Sequence, residues 1–235
     1  MRSVELEFPP LRRPEPGAVR VPDGEIHVWR APLEAGPESV AELGRVLSPE
    51  ERARVRRLRS EADRRRAQVS RGLLRHILAA ATGLAAADIR FRSDPCGKPG
   101  LEGGPELPSL HFNLSHSAEL LVVALSAEGP LGVDVERVRP VPAADRILRR
   151  LADGSADVPP GGDARAFLDW WTRREARAKA TGGGLPALWS AGHPDGAKAE
   201  SDGWTCYRFV PKAGFVGAIA IHGDGWRFRS WSVIS

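Results

Sequence analysis

The sequence predicts an α+β fold. Two stretches, Ser48 to Ala81 and Asp163 to Ala180, carry apolar residues at helical spacing, while Leu110 to Val138 and Trp204 to Val233 break into short apolar or alternating runs punctuated by Gly, Pro and polar residues. No fixed-period repeat is present, which sets aside solenoids and propellers.

Taken in order, residues 1–24 are rich in Pro and Arg and read as an irregular arm leading to a short strand, Glu25 to Arg30. Ser48-Pro49-Glu50-Glu51 offers a cap, a proline suited to the first helical position and acids in the first turn; Val55, Leu58 and Ala62 follow at helical spacing. A second helix is predicted from about Glu61 to Ala81, burying Val69, Leu73, Leu74, Ile77 and Leu78 and turning most of its arginines outward. Gly97-Lys98-Pro99-Gly100 reads as a turn and the chain to Ser109 as a loop. Strands are predicted at Leu110 to Leu114, Leu120 to Ser126 and Leu131 to Val138. Residues 139–162 read as a mobile connection with a short helical piece around Ile147 to Leu151. Asp163 caps a helix from Ala164 to Ala180, with Phe167, Trp171 and Ala178 on one stripe, and Gly182-Gly183-Gly184 ends it. Trp204 to Val210, Phe215 to Ile221 and Trp226 to Val233 read as a three-stranded antiparallel meander.

With 235 residues, 42% apolar and 27% charged, the chain has the composition of an ordinary globular protein of one large or two small domains. Its longest uninterrupted apolar run, Leu120 to Leu125, is far short of the roughly 18 residues that span a bilayer, so no membrane span is expected. Met1 to Glu7 lacks the apolar core of a secretory signal, and Cys96 and Cys206 make neither a disulfide framework nor a metal pair; a reducing cytoplasm is the expected location. Net charge is +4, unevenly spread: from Arg45 to Arg75 eleven arginines face four acids. Such a segment attracts an anion, and also suits a plain solvated helix face.

Three motifs can carry chemistry. In Leu131-Gly132-Val133-Asp134-Val135-Glu136, strand alternation sends Leu131, Val133 and Val135 to one face and Asp134 and Glu136 to the other, about 7 Å apart. Two carboxylates so placed can share a hard divalent cation, and the same pattern also suits a structural edge strand. In Trp170-Trp171-Thr172-Arg173-Arg174-Glu175-Ala176-Arg177-Ala178-Lys179, Glu175 and Lys179 share a helix face, as an ordinary surface pair also would; the tryptophans dock the helix and fix that face. In His111-Phe112-Asn113-Leu114-Ser115-His116-Ser117, alternation buries Phe112 and Leu114 and leaves Asn113 and Ser115 on the polar side, with His116 at the strand end. These small polar groups can hold a phosphate or an adenine edge, though a strand-end histidine is also commonly structural.

In order and spacing the three motifs resemble the Sfp-type 4'-phosphopantetheinyl transferases: Asn113 to Ser117, Gly132 to Glu136, and Trp171 to Leu185. Ser48-Pro49-Glu50-Glu51, Asp88-Ile89-Arg90-Phe91 and Gly97-Lys98-Pro99 also look like that family, so the resemblance runs from about residue 25 to residue 222. It implies two similar α/β halves in a pseudo-twofold arrangement with a ligand cleft between them: an arm of 1–24, an N-terminal half of 25–130 and a C-terminal half of 131–235. It further implies an Mg²⁺-dependent enzyme that transfers the phosphopantetheine of coenzyme A to a serine of an apo acyl or peptidyl carrier protein and releases 3',5'-ADP, acting as a monomer without specific nucleic acid or membrane.

By the same resemblance Asp134, Glu136 and Glu175 would hold Mg²⁺, Lys179 would contact the phosphates, and Glu175, or a metal-bound water beside it, is the candidate for taking the serine proton. Arg71, Lys98, Asn113, Ser115, His116 and Lys179 would line the coenzyme A site. Two departures stand out. Arg174 replaces the usual lysine before the glutamate, and the acidic residue usual between the second and third motifs has only Asp153 and Asp157 as loose counterparts. Two other readings are a degenerate member that binds coenzyme A without efficient transfer, and a nucleic-acid module built on the arginines. The retained carboxylates and Lys179 argue against the first, and the lack of interleaved aromatics or a helix-turn-helix against the second.

Overall fold

The protein is described by a computed structural model, which covers residues 2–12, 14–93, 99–103, 109–151, 158–159, 161–183 and 203–234. Two sheets are packed face to face with helices outside them. The larger sheet has the order β2 (Pro10–Arg12), β11 (Arg227–Ile234), β3 (Glu25–Pro32), β7 (Leu120–Ser126), β6 (His111–Ser117). The smaller has the order β1 (Arg2–Ser3), β9 (Trp204–Phe209), β10 (Phe215–His222), β8 (Leu131–Arg137). A short hairpin, β4 (Phe91–Ser93) with β5 (Pro99–Leu101), and helices α1 (Pro37–Arg45), α2 (Pro49–Arg56), α3 (Glu61–Thr82), α4 (Ala144–Leu151) and α5 (Ala164–Thr181) complete an α+β fold.

Strand alternation builds the layers. One face of the larger sheet puts Trp29, Ala31, Phe112, Leu121, Val123 and Leu125 against Leu73, Leu74, Ile77 and Leu78 of α3. Its other face sends Ile26, Val28, Leu120, Val122 and Ala124 into a core shared with Leu131, Val133, Val135, Tyr207, Ile219 and Ile221 of the smaller sheet. The outer face of the smaller sheet carries Ala218 and Ala220, which meet Ala176 and Ala180 of α5.

Helix ends follow their capping chemistry. Ser48 and Glu51 form a reciprocal capping box on α2, with Glu51 Oε2 accepting from Ser48 N at 3.0 Å and Ser48 Oγ from Glu51 N at 3.2 Å. Asp163 Oδ1 accepts from Arg165 N and Ala166 N at 2.9 and 3.0 Å, satisfying two first-turn donors of α5. Gly83 and Gly182 end α3 and α5 at φ 82° and 76°, a left-handed conformation that costs glycine little.

Three local expectations are corrected. The C-terminal strands form no meander: β9 and β10 pair, but β11 crosses to the larger sheet and runs parallel to β3 from Arg227↔Glu25 to Ser232↔Arg30. There Trp231 stacks on Trp29, ring centroids 5.6 Å apart, and Val233 is buried beside α3, which rewards the crossing with apolar burial. Helix α1 precedes the first helix expected, and Pro99 and Gly100, expected in the turn, belong with Leu101 to strand β5. Because β1 joins β9 while β11 joins β3, each sheet takes a strand from the opposite end of the chain. Among the described residues no helix is long and apolar enough to cross a membrane.

Candidate active site

The site is made by two close approaches, one of a helix to a strand and one of two strand edges. Gly132 of β8 lies directly under α5: a Cβ there would fall 1.9 Å from Ala176 O and 2.5 Å from Ala180 N. Only a residue without a side chain fits, and Ala176, Ala180, Ala218 and Ala220 keep the rest of the contact equally thin. The polar side chains of α5 are thereby delivered to β8. Lys179 Nζ donates to Asp134 Oδ1 at 2.7 Å and to Val133 O at 3.1 Å.

At the second approach, the free edge of β8 lies along β6 of the larger sheet, and side chains replace the usual backbone ladder. Asn113 Oδ1 accepts from Val133 N at 2.9 Å; Ser115 Oγ donates to Asp134 Oδ1 at 2.8 Å. Ser117 Oγ donates to Glu136 Oε2 at 2.7 Å and accepts from Arg137 N at 3.1 Å. The three residues share a face because they are two apart, opposite Ala124, Val122 and Leu120 of β7.

The electrostatics of this junction are uncommon. Burial first, and then the negative charges of Asp134 and Glu136, push the Glu175 carboxyl up to about 7, with Lys179 pulling it the other way. Asp134 is 6% exposed, so its charge acts where water screens it weakly. Among the described residues, the hydrogen bonds and ion pairs at Asp134 all fall on Oδ1 and those at Glu136, including Arg139 at 3.6 Å, all fall on Oε2. None among the described residues engages Asp134 Oδ2 or Glu136 Oε1.

These residues suit a hard cation chemically: three carboxylates, uncoordinated oxygens on two of them, and a surplus of negative charge felt by the third. As they stand, no group of three or more Asp, Glu, His or Cys among the described residues is gathered closely enough to hold an ion, and the ammonium of Lys179 is the cation at Asp134.

The remaining expected residues are dispersed. Asn113 and Ser115 are buried and engaged with β8, whereas His116 is exposed and, by alternation, on the opposite face of β6. Arg71 lies on α3, where burial lowers its pKa, Glu51 opposes that shift, and Arg54 and Arg75 add to it. No hydrogen bond or ion pair between described residues joins Arg71 to the carboxylates. Nearby, Arg75 is 1% exposed and spent on structure, donating to Glu51 Oε2 at 2.8 Å and to Ala86 O and Ile89 O. Lys98, Asp153, Asp157 and Leu185 lie outside the described residues. Arg174 is buried with its guanidinium 4.4 Å from the centroid of the Trp170 ring. Ser117 was given no role by sequence reasoning, although its i+2 relation to Ser115 and Asn113 is a readable signal.

Residues 34–128 match the family described as "4'-phosphopantetheinyl transferase, N-terminal". Among curated proteins, the chain is 30% identical over 228 residues to 4'-phosphopantetheinyl transferase HetI of Nostoc sp. (strain PCC 7120), a match that covers 93% of this chain and 96% of that one. It is 31% identical over 143 residues to 4'-phosphopantetheinyl transferase Sfp of Bacillus subtilis, covering 59% of this chain and 62% of the other. A 32% identical match to 4'-phosphopantetheinyl transferase psf-1 of Bacillus pumilus covers 63% of each. Since the similarity to the Nostoc enzyme extends through nearly the full length of both chains, the protein belongs to the 4'-phosphopantetheinyl transferase family of enzymes.

Proposed function

We propose that the protein transfers the 4'-phosphopantetheine group of coenzyme A to a serine of an apo acyl or peptidyl carrier protein, releasing 3',5'-ADP in an Mg²⁺-dependent reaction. The serine oxygen forms a new bond to the phosphorus that carries pantetheine, the P–O bond to the ADP part of coenzyme A breaks, and the serine proton leaves to a base. The observation that carries this reading is the junction itself, where Glu175 and Lys179 of α5 meet Asp134 and Glu136 of β8.

Phosphoryl transfer demands positioning and neutralisation of charge more than covalent participation by the protein. Asp134, Glu136 and Glu175 are the proposed Mg²⁺ ligands, and bound Mg²⁺ would supply Lewis-acid neutralisation of phosphate charge. Lys179 supplies a fixed positive charge within reach of the same oxygens. Glu175 is the proposed acceptor of the proton leaving the serine. Arg71, in its cluster with Arg54 and Arg75, together with Lys98 and the exposed His116, is the proposed coenzyme A contact, with Asn113 and Ser115, whose side chains are engaged with β8, bordering it; the arginine-rich α2–α3 segment would speed encounter with an acidic carrier.

The test is direct. Incubated with fluorescent coenzyme A and several apo carrier proteins, the enzyme should raise the carrier's mass by one phosphopantetheine only when Mg²⁺ is present. Asp134→Ala and Glu175→Ala should each abolish the shift while keeping the unfolding transition. Full labelling by either variant, or labelling in excess EDTA, refutes the assignment.

A further inference from the structure

We propose that Ser117, with Ser115 beside it, is a positioning residue for the cation site: hydroxyls donated by β6 anchor one oxygen of each β8 carboxylate and leave the other for the cation. The inference rests on the reading of Asp134, Glu136 and Glu175 as ligands.

The geometry that points to it lies along the β6–β8 edge. A carboxylate on an edge strand turns freely unless something holds it, and a hydroxyl bond to an ionised oxygen is among the stronger protein hydrogen bonds. Ser117 makes such a bond to Glu136 Oε2 at 2.7 Å, and its own oxygen is held by Arg137 N at 3.1 Å, so the donor cannot swing away without losing a backbone partner. Two residues earlier, Ser115 donates to Asp134 Oδ1 at 2.8 Å, an oxygen it shares with Lys179 Nζ. Asn113, two residues earlier again, locks the register by accepting from Val133 N; a one-residue slip would present Phe112, Leu114 and His116 to the carboxylates instead. The acids come from one half of the sequence and their anchors from the other, so packing of the two sheets orients the ligands. Ser117 needs no contact with substrate to act this way.

Binding of Mn²⁺ alone, followed by loss of the free-ion electron paramagnetic resonance signal, tests this. Partners of metal ligands typically affect metal affinity about 10- to 100-fold, so Ser117→Ala should weaken Mn²⁺ binding roughly tenfold. The Mg²⁺ concentration for half-maximal transfer should rise in parallel, with the KM for coenzyme A unchanged at saturating Mg²⁺. Ser117→Thr, which keeps the hydroxyl, should restore both. Should Ser117→Ala fail to fold, Ser117→Cys carries the same test, since a thiol fills the space but donates weakly. Normal Mn²⁺ binding by Ser117→Ala, alongside loss of binding in Asp134→Asn, would overturn the positioning role alone. Full binding by Asp134→Asn, or none by the parent protein, would overturn the ligand reading and this inference with it.

Discussion

Two helices cover two sheets in this protein, and they do so in opposite ways. Helix α3 meets the larger sheet through Leu73, Leu74, Ile77 and Leu78 against Trp29, Phe112 and Leu125, a thick apolar interface. The C-terminal turns of helix α5 meet the smaller sheet through Ala176 and Ala180 against Gly132, Ala218 and Ala220, while its N-terminal Phe167, Leu168 and Trp170 pack with Val216. Residue for residue, the large side chains of the α3 contact bury more apolar surface than the alanines do. The α5 contact is thin, so polar groups at its margin, Glu175 and Lys179, come within range of Asp134 and Glu136. Large side chains hold a fold together here, and small ones make its chemistry possible.

The contrast breaks most readily at Gly132. Gly132→Ala places a methyl carbon on the backbone of α5 and must push the helix outward. Displacements of about 1 Å can cost 100-fold in rate, so transfer per folded molecule should fall by at least about that factor, with some 1–3 kcal/mol lost from overpacking. Retention of full activity would mean that the close approach is not required. On the other side, Leu74→Ala, at a fully buried position, should cost about 2–5 kcal/mol in denaturant unfolding with no change in transfer per folded molecule. A rate loss matching that at Gly132 would erase the distinction.

A smaller effect concerns protons. The Glu175 carboxyl rises from an ordinary 4.5 to about 7 on folding, so the folded protein holds a proton that the unfolded chain has released. In EDTA, stability should therefore decline as pH rises from about 4.5 to 7 and level off above, and Glu175→Gln should remove that component of the slope. An identical pH profile in the variant would show that Glu175 is not held in this field. Smallest of all, Arg174→Lys keeps a cation beside Trp170 and should cost no more than about 2 kcal/mol, the worth of a desolvated cation–π contact, with transfer per folded molecule unchanged; a large rate loss would give Arg174 a direct role.

Much of this was legible in the residues, for reasons that differ by scale. Ser48 with Glu51, Asp163, Gly83 and Gly182 mark helix ends through local hydrogen bonding, and strand alternation gave the facing of Asp134 and Glu136. Helix α1 gives only a faint sequence signal, because its cap position, Gly36, has no capping side chain and Leu43 is its one buried residue. The meander failed because neighbouring strands ordinarily pair, whereas β11 finds its partner two hundred residues away through Trp29 and the α3 core. At the site, residue types pointed to a cation, but no spacing rule joins Glu175 to a strand some forty residues earlier. That proximity comes from the Gly132 and alanine contact, and the anchoring by Ser115 and Ser117 from an edge-to-edge meeting of two sheets.

The central claim is that α5 and β8 together make one cation site. Crystals grown with Mn²⁺ and coenzyme A should show a single anomalous peak bounded by Asp134, Glu136 and Glu175, with carboxylate oxygens of all three in its coordination shell. A peak lying elsewhere, or one held by the strand acids with Glu175 turned away, would contradict it.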